Sequence, residues 1–292
     1  RVSDAWLVSA SAWAMGVTAR ILKPGETPMG VLSGLVKRVG MPTVRTAARQ
    51  AMRVMGWQFV LGETIGSALT RAAAMEAKGY RHSYDMLGEG ARTAADAEKY
   101  FASYADAIER IGKAAKGALP SRAGISVKLS ALHPRYEAVN HARVMHELAP
   151  RLLDLARRAK AHDLCFTVDA EEADRLELSL DVFAATLADP SLAGWDGFGL
   201  AIQAYQKRAL EVVDWIGRLA EAHDRKLMVR LVKGAYWDTE MKRAQERGLA
   251  DYPLFSRKAA TDLSFLACAR RLLALRPRIY PQFAGHNAYT LA

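Results

Sequence analysis

The sequence predicts an α/β fold, an incomplete (βα)8 TIM-like barrel with about six βα units, preceded by a helical segment. Three observations predict it. From Gly79 onward, short β-prone runs alternate with long Ala/Leu/Arg-rich stretches, the order that gives parallel strands with helices packed outside them. No GxGxxG follows the first run, which argues against a dinucleotide-binding doubly wound sheet. Successive runs also end on polar residues, and strand C-termini are where such barrels carry their sites.

The elements follow in order. Residues 1–78 read as helices only and are expected to form a lead-in segment before a barrel over 79–292. Trp6, Ala10, Trp13, Val17 and Ile21 recur at helical spacing, which predicts a docked amphipathic helix. PGETP at 24–28 breaks that pattern, and an Ala-, Met- and Arg-rich stretch runs from Thr43 to Lys78. The predicted strands are YRHSYDML (80–87), GISVKLSA (124–131), LCFTVDA (164–170), GFGLAIQAY (197–205), KLMVRLVKG (226–234) and RIYPQFAGH (278–286). Helices are predicted at about 91–118, 137–162, 171–188, 207–224 and 239–275, the last broken near Tyr252-Pro253.

Composition narrows the class. Hydrophobic residues are 51% and charged residues 25% of the 292, as in soluble globular proteins. The net charge of +10 suits an acidic partner, but the basic residues are scattered and no nucleic-acid role is claimed. Cys165 and Cys268 lie in apolar segments without metal-like spacing and read as reduced core thiols of an intracellular protein. The chain opens on Arg1 without a charged leader and stops at HNAYTLA, within the first turn of a predicted helix. The expectation is an internal piece of a longer protein. Two barrel strands would then lie beyond Ala292, leaving the first and sixth strands with open edges.

The strand ends carry the chemistry. They present Asp85 with Glu89 just beyond, Lys128, Asp169 followed by Glu171 and Glu172, Gln203, Arg230 with Lys233, and Gln282 with His286 and Asn287. Side chains alternate along a strand. Ser126, Lys128 and Ser130 therefore share one face, as do Met228, Arg230 and Val232. With the apolar partners facing the helices, the polar set points into the barrel mouth. No P-loop, HExxH or GxSxG is present, so phosphoryl transfer, zinc hydrolysis and serine chemistry lose support. Asp85 and Asp169 could hold a metal with His286, but their spacing is not that of a metal site. Two readings stay open from the residues alone. One is a Schiff-base, aldolase-type lyase using Lys128 or Lys233. The other is an organic cofactor whose anionic parts meet Arg230, Lys233 and His286.

Several runs in order carry a resemblance: SYDMLGE (83–89), VKLSALHPRYE (127–137), VDAEEADRLE (168–177), LAIQAYQKRA (200–209), RLVKGAYWD (230–238) and YPQFAGHNAYTLA (280–292). With MGWQFVLGETI (55–65) they resemble the proline dehydrogenase family, and within it the flavoprotein barrel of the bifunctional proline utilization A type. The resemblance implies a cytoplasmic, peripherally membrane-associated enzyme. It would use FAD to oxidise L-proline to Δ1-pyrroline-5-carboxylate, pass electrons to membrane quinone, contact the inner membrane peripherally, and carry an aldehyde dehydrogenase domain on the same polypeptide. It also implies residue roles. Lys128 pairs with the proline carboxylate, with Asp85, Met86, Tyr236 and Glu89 on the substrate side, Glu89 closing the site against an arginine of the last helix. Arg230 lies beside flavin N5 with Asp169 as its carboxylate neighbour. Gln203 meets the flavin pyrimidine edge, and Ala170 adjoins the ring. Val232, Lys233, Gly234 and Ala235 run along the cofactor, while Trp237 and His286 contact its ADP or ribityl portion. Gly285 stands where a threonine is expected. The family's N-terminal ribbon–helix–helix segment is not recognised, so regulatory DNA binding is not claimed; its paired-arginine motif is not recognised either, so this piece alone is expected to be inactive.

Overall fold

Six parallel strands lie side by side in sequence order: β1 (Ser83–Asp85), β2 (Gly124–Val127), β3 (Cys165–Val168), β4 (Phe198–Gln203), β5 (Leu227–Val232) and β6 (Ile279–Phe283). The computed structural model describes residues 41–291 except 58, 89 and 286. The amphipathic helix predicted around Trp6–Ile21 lies outside the described residues, as do Glu89 and His286. Two compact units divide at Ala72.

In the first unit, α1 (Met41–Gly56) exposes Arg45, Arg49 and Arg53 at successive turns. Arg71, on α2 (Ile65–Glu76), stacks its guanidinium 3.9 Å above the Trp57 ring and donates to the carbonyls of Trp57, Val60 and Leu61.

The second unit is the barrel wall. Its helices are α3 (Ala94–Ala114), the short α4 (Leu129–Leu132), α5 (His141–Ala161), α6 (Leu176–Leu187), α7 (Ala209–Ala222), α8 (Trp237–Glu246), α9 (Lys258–Ala274) and α10 (Ala288–Leu291). The predicted break near Tyr252-Pro253 is the gap between α8 and α9. Thr93 starts α3 with a reciprocal cap: its hydroxyl accepts from the Asp96 N–H, and the Asp96 carboxylate accepts from the Thr93 N–H. Such caps stabilise by about 1 kcal/mol.

Burial follows the parallel topology. All four residues of β2 and of β3 are buried, as expected when both sheet faces are covered. Between sheet and helices, Phe198 stacks on Phe183 of α6 at 4.6 Å and on Trp195 and Phe166 at 6.1 Å. Among the described residues β1 pairs only with β2 and β6 only with β5, which makes them the two edges of the sheet. Both cysteines are buried free thiols, and burial pushes Cys165 up to about 11.

Register does the positioning. Asp85 pairs with Ser126, Ser126 with Thr167, Thr167 with Gly199 and Gly199 with Met228. Two residues on, Ala201 pairs with Arg230 and Arg230 with Gln282. Paired residues of a parallel sheet point the same way. One face therefore collects Asp85, Ser126, Thr167, Arg230 and Gln282, and the other collects Tyr84, Ile125, Phe166, Leu200 and Val229. One element differs from expectation. β2 ends at Val127, and Leu129–Leu132 wind into a helical turn, so Ser130 is not a strand residue. Its N–H donates to Glu171 Oε1 at 3.0 Å, a tertiary partner that holds the turn.

Candidate active site

At the C-terminal ends of the strands four charged groups form a chain. Lys128 Nζ lies 2.9 Å from Asp85 Oδ1 and 3.0 Å from Asp169 Oδ2. Asp169 Oδ1 lies 3.6 Å from Arg230 Nη1. Side-chain exposure is 21% for Lys128, 15% for Asp169 and 19% for Arg230, so these charges are mostly withdrawn from water, where pairing is required. Burial raises the Asp169 carboxyl above its usual range, and the Asp85 charge pushes the same way; Lys128 and Arg230 pull it back.

Arg230 crosses the barrel interior. From β5 its Nη1 donates to Ser126 Oγ at 3.0 Å and its Nη2 to Ser83 Oγ at 2.7 Å. The guanidinium is thus fixed by two hydroxyls and a carboxylate, with its fork geometry used at both ends. The part Ser83 and Ser126 play in holding Arg230 is not visible in the sequence. Ser126 marks the inward face of β2, but a serine there signals no partner.

Gln203 is 3% exposed; its Nε2 donates to the Glu171 carbonyl at 2.8 Å and its Oε1 accepts from the Ala235 N–H at 3.2 Å. Each end keeps further hydrogen-bonding capacity. Val232 and Ala170 are half-buried, Gly234 and Ala235 exposed. Gly234 has φ +139°, and a Cβ there would collide with the Tyr205 ring, so only glycine fits. Tyr236 is half-buried; burial, then the charges of Glu171 and Glu172, raise its hydroxyl. Met86 is half-buried and Gly285 exposed. Trp237 is 41% exposed and its Nε1 donates to the Phe255 carbonyl at 3.0 Å.

Lys233 stands apart from the group. Its Nζ lies 2.5 Å from Asp262 on α9, which also pairs with Lys258, and 5.8 Å from the Phe265 ring. Lys233 follows the last residue of β5, and its ion pair is with α9 and not with the Lys128–Asp169–Arg230 chain. Among the described residues no group of three or more His, Cys, Asp or Glu is arranged to hold a metal, and none of their helices is long and apolar enough to cross a membrane.

Residues 68–292 match the family described as Proline dehydrogenase, and residues 1–59 match a second, described as the DNA-binding domain of Proline dehydrogenase. The second match bears on the expectation of a lead-in segment with no nucleic-acid role; within it lies the exposed arginine face of α1. The bifunctional protein PutA of Klebsiella aerogenes is 52% identical over 99% of this chain and 22% of its own length. That of Escherichia coli is 51% identical over the same shares. A proline dehydrogenase of Deinococcus radiodurans is 28% identical over 67% of this chain and 57% of its own. A solved proline utilization A with proline bound in remote sites has 73% identity and a TM-score of 0.79, covering 92% of this chain and 28% of that one. That of Bdellovibrio bacteriovorus inactivated by N-propargylglycine has 30% identity and a TM-score of 0.77, covering 82% and 26%. The chain thus spans about a fifth of the length of the PutA proteins it matches. Sharing their sequence over almost its whole extent and their parallel barrel wall, it belongs to the proline dehydrogenase family.

Proposed function

We propose that the protein oxidises L-proline to Δ1-pyrroline-5-carboxylate with FAD as the hydride acceptor. The observation that carries the reading is the Lys128–Asp169–Arg230 chain at the strand ends of a member of this family. Bound there, FAD supplies a two-electron sink for the hydrogen leaving the ring carbon next to nitrogen. The donor set fits it: a held guanidinium, a buried amide with capacity to spare, and exposed backbone at Gly234 and Ala235.

The chain's own residues do the rest. Lys128 orients the proline carboxylate, a charge-assisted contact that fixes which ring hydrogen is presented. Asp85, Met86 and Tyr236 border the substrate on the same side, with Glu89 closing over it. Arg230 places fixed positive charge where negative charge develops, the preorganised form of electrostatic catalysis. Asp169 keeps the two cations apart and in register. Gln203, Ala170, Val232, Gly234, Ala235, Trp237, Gly285 and His286 line the cofactor side. Lys233, with one of its three donors on Asp262, keeps capacity for a cofactor phosphate.

Electrons pass on to membrane quinone through peripheral contact from the cytoplasmic side, and an aldehyde dehydrogenase domain on the longer polypeptide consumes the hydrolysed product. The lyase reading is disfavoured because Lys128 donates to two carboxylates and Lys233 to one, whereas a Schiff-base amine must be neutral. The test uses the protein at the length of its PutA relatives. It should purify with flavin absorbance that bleaches on adding L-proline without oxygen and recovers with a quinone in vesicles. Colourless protein that takes up no FAD, or borohydride trapping of a carbonyl substrate on Lys128, overturns the proposal.

A further inference from the structure

We propose that Glu240 is a positioning residue that ties together the three loops bearing the site. It lies on α8, outside the strand ends, and is 5% exposed. One of its oxygens, Oε1, accepts from the Ala173 N–H at 3.1 Å and from the Tyr205 hydroxyl at 3.0 Å. That hydroxyl in turn accepts from the Tyr236 N–H at 3.2 Å. Ala173 lies on the loop after β3, Tyr205 on the loop after β4 and Tyr236 on the loop after β5. Those loops begin beside Asp169, Gln203 and Arg230.

The surrounding contacts make the bracket rigid. The Tyr205 N–H donates to the Lys233 carbonyl at 2.8 Å, and its ring is packed against Gly234, where no Cβ fits. Along the same face of α8 and its C-terminal cap, Arg243 pairs with Glu172 at 3.5 Å and Arg247 with Asp174 at 3.3 Å, the i, i+3, i+7 spacing that aligns side chains on a helix. α8 is therefore clamped to the loop after β3 at three successive points, of which only Glu240 also reaches the other two loops. A buried carboxylate is costly unless hydrogen bonds compensate it. Here those bonds also fix the Tyr236 backbone, through the Tyr205 hydroxyl.

The activity arm of the test rests on the proline dehydrogenase reading; the exchange arm does not. In the full-length protein, Tyr205→Phe keeps the packing and removes the shared oxygen. Hydrogen exchange of the segment from Gly234 to Trp237 should then speed about tenfold, and kcat/KM for proline should fall about tenfold, with Tm little changed. Glu240→Ala should move both in the same direction. Glu240→Gln keeps an acceptor oxygen and should restore both to within about threefold of wild type. Unchanged exchange in Tyr205→Phe, or equal losses in Glu240→Gln and Glu240→Ala, overturns the inference. If wild type does not oxidise proline, the functional reading fails, and the exchange arm alone decides the role of Glu240.

Discussion

Lys128 and Arg230 bind opposite oxygens of one carboxylate: Asp169 Oδ2 is 3.0 Å from the ammonium and Oδ1 is 3.6 Å from the guanidinium. The two cations are thereby held at a fixed separation, yet they face different tasks. Removing either should have a distinct signature.

Lys128→Ala is expected to raise the KM for proline by at least tenfold while flavin content stays near wild type. It also removes the charge that most strongly lowers the Asp169 carboxyl. The Asp169 pKa must then rise further, and the acid limb of the kcat/KM profile should move to higher pH. Steady-state kinetics across pH checks both, and a limb that moves to lower pH contradicts the assignment.

Arg230→Ala should cost about 2–4 kcal/mol of transition-state stabilisation, about 30- to 1,000-fold in kcat/KM, and reduce flavin retention. Ser126→Ala leaves Arg230 with Ser83 and Asp169. It should cost about 1 kcal/mol, a fivefold loss of kcat/KM without loss of colour. Variants of Arg230 and Lys128 that behave identically would refute the division of roles.

Glu240 gives a stability test with a definite sign. Burial holds its carboxyl above the usual range, with Asp174 and Glu172 pushing the same way. The folded state then binds a proton that the unfolded chain has lost, so this group's contribution falls as pH rises from about 4.3 through the folded value. Glu240→Gln does not titrate. The stability of wild type relative to Glu240→Gln, from urea unfolding, should therefore be highest near pH 4 and decline toward neutrality.

Gly199 tests the wall itself. A Cβ there would fall onto the Met228 carbonyl of the neighbouring strand, and backbone cannot yield as a side chain can. Gly199→Ala should destabilise by about 3 kcal/mol or prevent soluble expression. A Tm within a degree of wild type would mean that β4 and β5 are not packed as described.

The strand ends are legible because polar residues stand at or near the ends of the β-prone runs, among them Asp85, Asp169, Gln203 and Arg230. Lys128 was legible for the same reason, but the end of β2 was not, since Ser130 turns into α4 to meet a glutamate 41 residues away. Lys233 is a different case. It follows the end of β5, and its ion pair with Asp262 on α9 leaves no signal in the sequence. Ser83 as a partner of Arg230, together with Tyr205 and Glu240, left no sequence signal, because their value lies entirely in partners brought by other strands. From the sequence Glu171 is only an acid that follows Asp169; its bond to Ser130 needs the fold.

The reach of Arg230 to Ser126 and Ser83 spans 104 and 147 residues of chain. During synthesis β1 and β2 emerge long before β5, and contacts this distant form late. Ser83 and Ser126 therefore wait, hydrated and unpaired with their cation, until β5 has docked. Under the proposed function, retention of colour would then report that Arg230 has reached its partners, and a chain that stalls before it arrives would be recognisable by its pallor alone.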